Sequence, residues 1–242
     1  MVSAMAGEAP TTAAREAASS LSAMAHEPAA LVTACRRLVQ RQPTCGPLWW
    51  LGARVLSAAD PTPDALAAHL AEGVRTVAVV GWPELAAQAL DQADVARVLV
   101  VESAGDGAIL VRRLCRAGLD ATLVPARGSA AAAAAADLVL LEAEVAGPDA
   151  ALAPAGSRAA AAVGRHAGVP VWLVAGVGRV LPPSLWSAAR ASVEGEDPWE
   201  AAQEHVPADL VEVVVGPAGP EPPGARLVRA DCDPVPELAP GG

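Results

Sequence analysis

The chain has 242 residues, of which 53% are hydrophobic, and a formal net charge of -10. That length and apolar fraction allow one good core, or one core with a small helical appendage. The acidic surplus excludes nucleic acid as a partner, because phosphate binding needs a cationic face.

All 17 cationic residues are arginine and the six tryptophans are the only aromatics, so large-ring contacts fall to tryptophan. The four cysteines, Cys35, Cys45, Cys115 and Cys232, have no metal-ligand spacing and read as free thiols of a reducing cytoplasm. No metal or cofactor is implied. The opening residues lack a basic stretch followed by an apolar core, so no secretory leader is expected. The longest uncharged apolar run, "AGVPVWLVAGVG" at 167–178, is too short to span a bilayer, and a membrane partner is not expected.

In chain order, residues 1–12 read as a loose tail and 13–72 as a helical domain. Ala14, Ala17, Leu21 and Met24 recur at helical spacing, as do Leu31, Cys35, Leu38 and Val39. Prolines 28, 43, 47, 61 and 63 cut this stretch into roughly four short helices. At Gly73 the pattern changes to short β-branched runs alternating with helical segments. The runs are "RTVAVVG", "ARVLVVES", "DATLVPA", "DLVLLEA", "VPVWLVAG" and "LVEVVVG". Apolar strands separated by helices of crossover length predict an α/β, Rossmann-like parallel sheet of about six strands over 73–217. The alanine run 130–136 lies between two strands and reads as a helix; the stretch after "DLVLLEA" reads as a loop. Residues 218–242 read as a Pro/Gly-rich tail.

Ligands of an open parallel sheet bind at the carboxyl ends of its strands, where helix N-termini offer N–H groups. The positions to inspect are therefore Gly81-Trp82, Glu102-Ser103, Pro125–Arg127, Glu142, Glu144 and the loop Gly176–Arg179. Gly81 suits either a tight turn or close approach to a ligand. Glu102 suits a general base or a capping carboxylate. Glu142 and Glu144 share one side of a strand and could shift each other's proton affinity, or simply stand at a solvated strand end. Gly156 and Ser157 open the helix "SRAAAAVGRHA", a geometry that presents N–H groups to an anion without needing a side chain. His26, His69, His166 and His205 have no partner at a recognisable spacing. Gly176 and Gly178 lack the third glycine of a dinucleotide fingerprint, and a phosphate-binding loop that needs lysine is excluded.

The order of these pieces resembles one family, the alpha, beta and delta regulatory subunits of translation initiation factor 2B. Its relatives are methylthioribose-1-phosphate isomerase and ribose-1,5-bisphosphate isomerase. "RQPTCGPLWWLGARVL" is similar to the family's RPTxxxLxxALxxxL segment, and "VLVVESAGDGAILVRRLCRAGLDATLV" to its VxVxESRPxxxGxxLxxxLxxxGIxVTLI segment. "DLVLLEAEVAG" with "APAGSRAAAAVGRHAGVPVWLVAG" is similar to its GAD and NKxGT region. The resemblance implies a helical N-terminal domain, a Rossmann-like C-terminal domain and pairing through the latter.

It also shows what has changed. Val80 and Gly81 stand where the isomerases carry histidine and cysteine. Glu144 stands at the catalytic aspartate, and Ala153-Pro154 at the Asn-Lys pair. Gln42 replaces the first arginine, with Arg41 one place early, and Ala104 replaces the second. The expectation is a cytoplasmic pseudoenzyme, a homodimeric regulatory or ligand-binding module without confident catalytic residues. The alternative is an aldose–ketose isomerase acting on a ribose-1-phosphate derivative. In that case Glu144 or Glu102 would be the base, and Arg41, Gly81, Gly156, Ser157 or Arg179 would hold a phosphorylated small molecule. A nucleotide bound without turnover is a third expectation.

Overall fold

The structure, a computed structural model, describes residues 17, 20–21, 28–56, 60–70, 73–194 and 197–235. The chain divides into two compact units, 1–60 and 61–242.

In the first unit, helix α1 (Pro28–Arg41) and helix α2 (Gly46–Leu56) pack on each other. Prolines act where their missing N–H is harmless: Pro28 starts α1, Pro43 lies in the intervening turn and Pro47 falls in the first turn of α2. Ala17, Cys45 and Leu48 are buried, with Leu38 and Leu51 against them. Of the amphipathic stretch before Pro28, only Ala17, Ser20 and Leu21 are described, and all three are helical; His26 lies outside the described residues.

In the second unit, α3 (Thr62–Leu70) precedes a central sheet. Its strands are β1 (Thr76–Val80), β2 (Arg97–Val101), β3 (Asp120–Val124), β4 (Leu138–Glu142), β7 (Val171–Val174), β9 (Val213–Gly216) and β10 (Gly219–Glu221). The order is β10-β9-β7-β4-β1-β2-β3, and all neighbours are parallel except the antiparallel pair β9–β10. The six parallel strands follow the doubly wound order, with the chain reversing direction between β1 and β4. The seventh strand falls in the stretch expected to be tail. "GPE" carries no apolar alternation; a two-residue turn returning it along β9 makes it a strand.

β4 is buried along its whole length because both faces of the sheet are covered. Its side chains alternate between two clusters. Val139 and Leu141 face α6 (Ser129–Ala135) and α7 (Ser157–Ala167), whereas Leu138 and Leu140 face α3, α4 (Glu84–Leu90) and α5 (Gly107–Arg116). The alanine run forms α6, where Ala132 and Ala133 are buried. In α7, a Cβ added at Gly164 would come within 2.9 Å of Val139 Cγ2, so a small residue lets the helix lie close on β4.

The segment expected to be a loop after β4 is instead a hairpin. β5 (Val145–Ala146) pairs antiparallel with β6 (Ala150–Pro154), and β6 pairs with β8 (Gln203–Pro207) in a second sheet. Trp186, on α8 (Pro183–Val193), is buried against Ala150 and Leu152 and donates to Asp149 Oδ1 at 2.8 Å. "AALAP" lacks β-branched residues, so its strand character comes from pairing and burial rather than propensity.

A short helix, α9 (Pro223–Arg226), follows β10. It carries Arg226, which is 2% exposed. Among the described residues no helix is long and apolar enough to cross a membrane.

Candidate functional site

A cavity of about 370 Å³ opens at the carboxyl ends of β1, β2 and β4, beside the point where the sheet reverses winding. It is lined by Gly81, Trp82 and Glu84 after β1, and by Ser103, Ala104 and Asp106 after β2. Glu142 and Glu144 from β4, Arg179, Pro154 of β6, and Ala202 and Gln203 complete it. Pro154 is the contribution of the second sheet. That sheet lies over the end of β1, where a Cβ added at Gly81 would meet Pro154 Cβ at 3.3 Å. Gly81 also has φ +66°, so this glycine serves both a left-handed turn and a close approach.

The floor is built on Glu142, the last residue of β4. Its side chain is 5% exposed, and Oε2 accepts the N–H groups of Leu85 and Ala86 at the start of α4, both at 2.9 Å. Its Oε1 is 3.0 Å from Arg179 Nη2. Burial pushes the Glu142 carboxyl up to about 7, against the opposing pull of those two N–H groups and of Arg179. Arg179 also donates to the Ala143 carbonyl and lies 3.8 Å from Glu144, whose side chain is 50% exposed at the mouth.

The backbone around Arg179 is held tightly. Its carbonyl accepts from Ala146 N–H at 2.7 Å, and Leu181 N–H donates to the Ala146 carbonyl at 2.9 Å. Val180 exchanges two bonds with Asp231: its N–H donates to Asp231 Oδ2 at 2.9 Å, and its carbonyl accepts Asp231 N–H at 2.7 Å. Asp231 is in turn paired with buried Arg226 at 2.9 Å, and Arg226 also donates to the Ala175 carbonyl. Arg226 and Asp231 therefore anchor the arginine of the cleft.

The opposite wall carries strain. Ala104 has φ +56°, a left-handed conformation uncommon outside glycine, in a tight loop with Gly105. Ser103 donates to the Ala155 carbonyl at 3.0 Å, tying this loop to the segment after β6.

The residues singled out from the sequence fall in different places. Gly81 and Glu144 line the cleft. Glu102 does not line it; its carboxylate accepts Gly105 N–H at 3.0 Å and Gly107 N–H at 3.4 Å, capping the loop before α5. Gly156, with φ +98°, and Ser157 open α7 beside β1, where a Cβ on Gly156 would meet Val80 Cγ1 at 3.7 Å. The next N–H, that of Arg158, is taken by Glu204 Oε1 at 2.8 Å, and Ser157 Oγ is buried without a hydrogen-bond partner in the chain. Arg41 closes α1 in the first unit and is exposed.

Glu142 carries more of the site than its place in the sequence suggests. Its alternation with Glu144 was visible, but a solvated strand end was the ordinary reading, and the structure buries it. Trp82 and Ser103, named from their places just after β1 and β2, line the cleft as well, whereas Asp106 and Gln203 carry no signal in the sequence.

The described histidines, His69, His166 and His205, do not line the cleft. His166 is exposed near the end of α7, and His69 Nδ1 lies 2.7 Å from the Ala65 carbonyl. His205 sits edge-on to Trp186, and burial lowers its proton affinity. Among the described residues no group of three or more His, Cys, Asp or Glu could hold a metal ion. Cys35, Cys45, Cys115 and Cys232 form no disulfide with one another.

No protein-family model and no curated protein matches the chain. Solved structures do. The crystal structure of the Pyrococcus horikoshii OT3 translation initiation factor eIF-2B superposes with a TM-score of 0.61 at 12% identity, covering 91% of this chain and 94% of that one. The translation initiation factor eIF-2B subunit delta from A. fulgidus gives 0.55 at 15%, covering 93% and 86%. The eIF2B beta structure from Chaetomium thermophilum gives 0.54 at 19%, covering 73% of this chain but 56% of that one. Superposing on these structures over most of its length, the chain has the fold of the eIF2B subunits.

Proposed function

We propose that the chain is a catalytically silent relative of the initiation factor 2B subunits, a cytoplasmic regulatory or ligand-binding module that pairs with a second copy through its α/β unit. The observation that carries this reading is the lining of the cleft. It holds no cysteine, histidine or lysine, and its arginine is already engaged by Glu142. Isomerisation of a sugar phosphate requires a group to move the proton and cations to grip the phosphate. By the sequence resemblance, Gly81 and Pro154, both in the lining, stand where the isomerases carry the cysteine and the lysine.

Two experiments test the reading. Incubating the purified protein with ribose-1,5-bisphosphate and methylthioribose-1-phosphate should give no ketose product above the uncatalysed rate; turnover of either would overturn catalytic silence. Light scattering at tens of micromolar should give the mass of two chains, and a strict monomer would remove the pairing.

A second reading keeps the isomerase chemistry, with a ribose-1-phosphate derivative as substrate. One observation favours it: a carboxyl at about 7 is well matched to proton transfer near neutral pH. It expects product formation that Glu142→Gln abolishes while Glu144→Gln lowers it less.

A further inference from the structure

The cleft contains its own anion. Each group on its floor that could hold a phosphate is already turned toward Glu142. The N–H groups of Leu85 and Ala86 converge on Oε2, and the guanidinium of Arg179 meets Oε1. One side chain thus engages two backbone donors and one cation from opposite sides. Arg179 is the one cation lining the cleft among the described residues, while Glu84, Asp106 and Glu144 add negative charge around it. An incoming phosphate would meet like charge at the mouth and would have to displace a buried carboxylate that makes three charge-assisted contacts.

We propose that Glu142 is a specificity-determining residue, an intramolecular anion that closes this cleft to phosphorylated compounds and leaves it to ligands that carry no phosphate. The inference deepens the binding-module reading and rests on the cleft being its ligand site. It also states what a mere capping role would not: the donors released by removing Glu142 are competent to bind an external anion.

The test is calorimetric titration of the full chain with sulfate and with ribose 5-phosphate at about pH 8, above the Glu142 carboxyl's raised value. Sulfate is used because its charge does not change around neutrality. Wild type should bind both weakly. Glu142→Ala, which frees the donors and the space, should bind both about tenfold more tightly or better, the factor one charge-assisted hydrogen bond supplies. Glu142→Gln, which removes the charge but keeps the shape, should show a smaller gain. Adding Arg179→Ala to either variant should return the affinity to the wild-type level.

The inference is overturned if wild type binds as tightly as Glu142→Ala, if a folded Glu142 variant shows no gain, or if the gain survives loss of Arg179. Should the alanine variant fail to fold, the isosteric glutamine carries the same comparison. Wild-type binding without turnover would sink this inference alone, whereas wild-type turnover would sink the silent-module reading.

Discussion

Two arginine–carboxylate pairs stand near the carboxyl end of β7, and they differ in which partner water reaches: the carboxylate in one, the arginine in the other. In Arg226–Asp231 the side chains are 3% and 17% exposed; Arg226 also donates to the carbonyls of Ala175 and Arg229, and Asp231 accepts the Val180 N–H. Arg179–Glu142 has a comparable separation, but its arginine is 18% exposed and forms the floor of the cleft. A pair whose arginine is sealed from solvent serves to hold the fold together, because no solute can take the carboxylate's place on it. A pair that faces a cavity can exchange one partner for a ligand. The same chemistry therefore reads as a lock in one place and a site in the other.

The largest effect should come from breaking the sealed pair. Arg226→Ala leaves Asp231 partly buried without its cation and should cost about 3–5 kcal/mol in urea unfolding. The variant should also loosen the Arg179 loop, because Asp231 holds Val180. A loss under about 1 kcal/mol would erase the contrast between the two pairs.

Arg179→Ala should cost less, about 1–3 kcal/mol, because Glu142 keeps its two N–H donors and the cleft admits water. It should also raise the Glu142 carboxyl further, since Arg179 is one of the groups pulling it down; infrared or NMR titration of the carboxyl checks that direction.

Glu142→Gln sharpens the comparison through pH. The folded carboxyl lies at about 7 against an ordinary value of 4.5, so the native state holds a proton that the unfolded chain has released. The associated stability is fully present below the ordinary value and is lost as pH rises toward about 7, by at most on the order of 3 kcal/mol. The glutamine variant should flatten that slope in unfolding curves taken across the same range; an unchanged slope would place its cause elsewhere.

Gly81→Ala should cost about 1–2 kcal/mol, since φ +66° disfavours a side chain and Pro154 stands close. The smallest effect is expected at Arg97–Asp120, an open pair with side chains 56% and 53% exposed. Arg97→Ala should change stability by less than about 0.5 kcal/mol.

Much of the main sheet was legible in the amino-acid order because its signals are local. Strands such as "TVAVV" and "LVLLE" are β-branched or apolar runs of strand length, and they alternate with helices of crossover length. The second sheet was not legible. "AALAP" and "QEHVP" have no shared periodicity, and their pairing spans some fifty residues of intervening chain. The strand "GPE" exists only because β9 lies beside it.

The candidate site divides in the same way. Gly81 and Glu144 could be named from their places at strand ends. Glu102 could be named too, yet its carboxylate turns back to cap its own loop. Arg179 was visible as a cation in a glycine-containing loop, but its engagement with Glu142 depends on how β4 and β7 pair and on the hold of Asp231.

By itself the sequence determined the class of fold, an alternation of strands and helices, and that any site must be built without lysine. Only the tertiary structure decided that Glu142 is buried and Glu144 exposed, two residues apart on one strand. The reason is physical. A hydrophobic period is written within a few neighbouring residues, whereas the solvation of a carboxylate depends on what distant segments bring over it, here the start of α4 and the loop of Arg179.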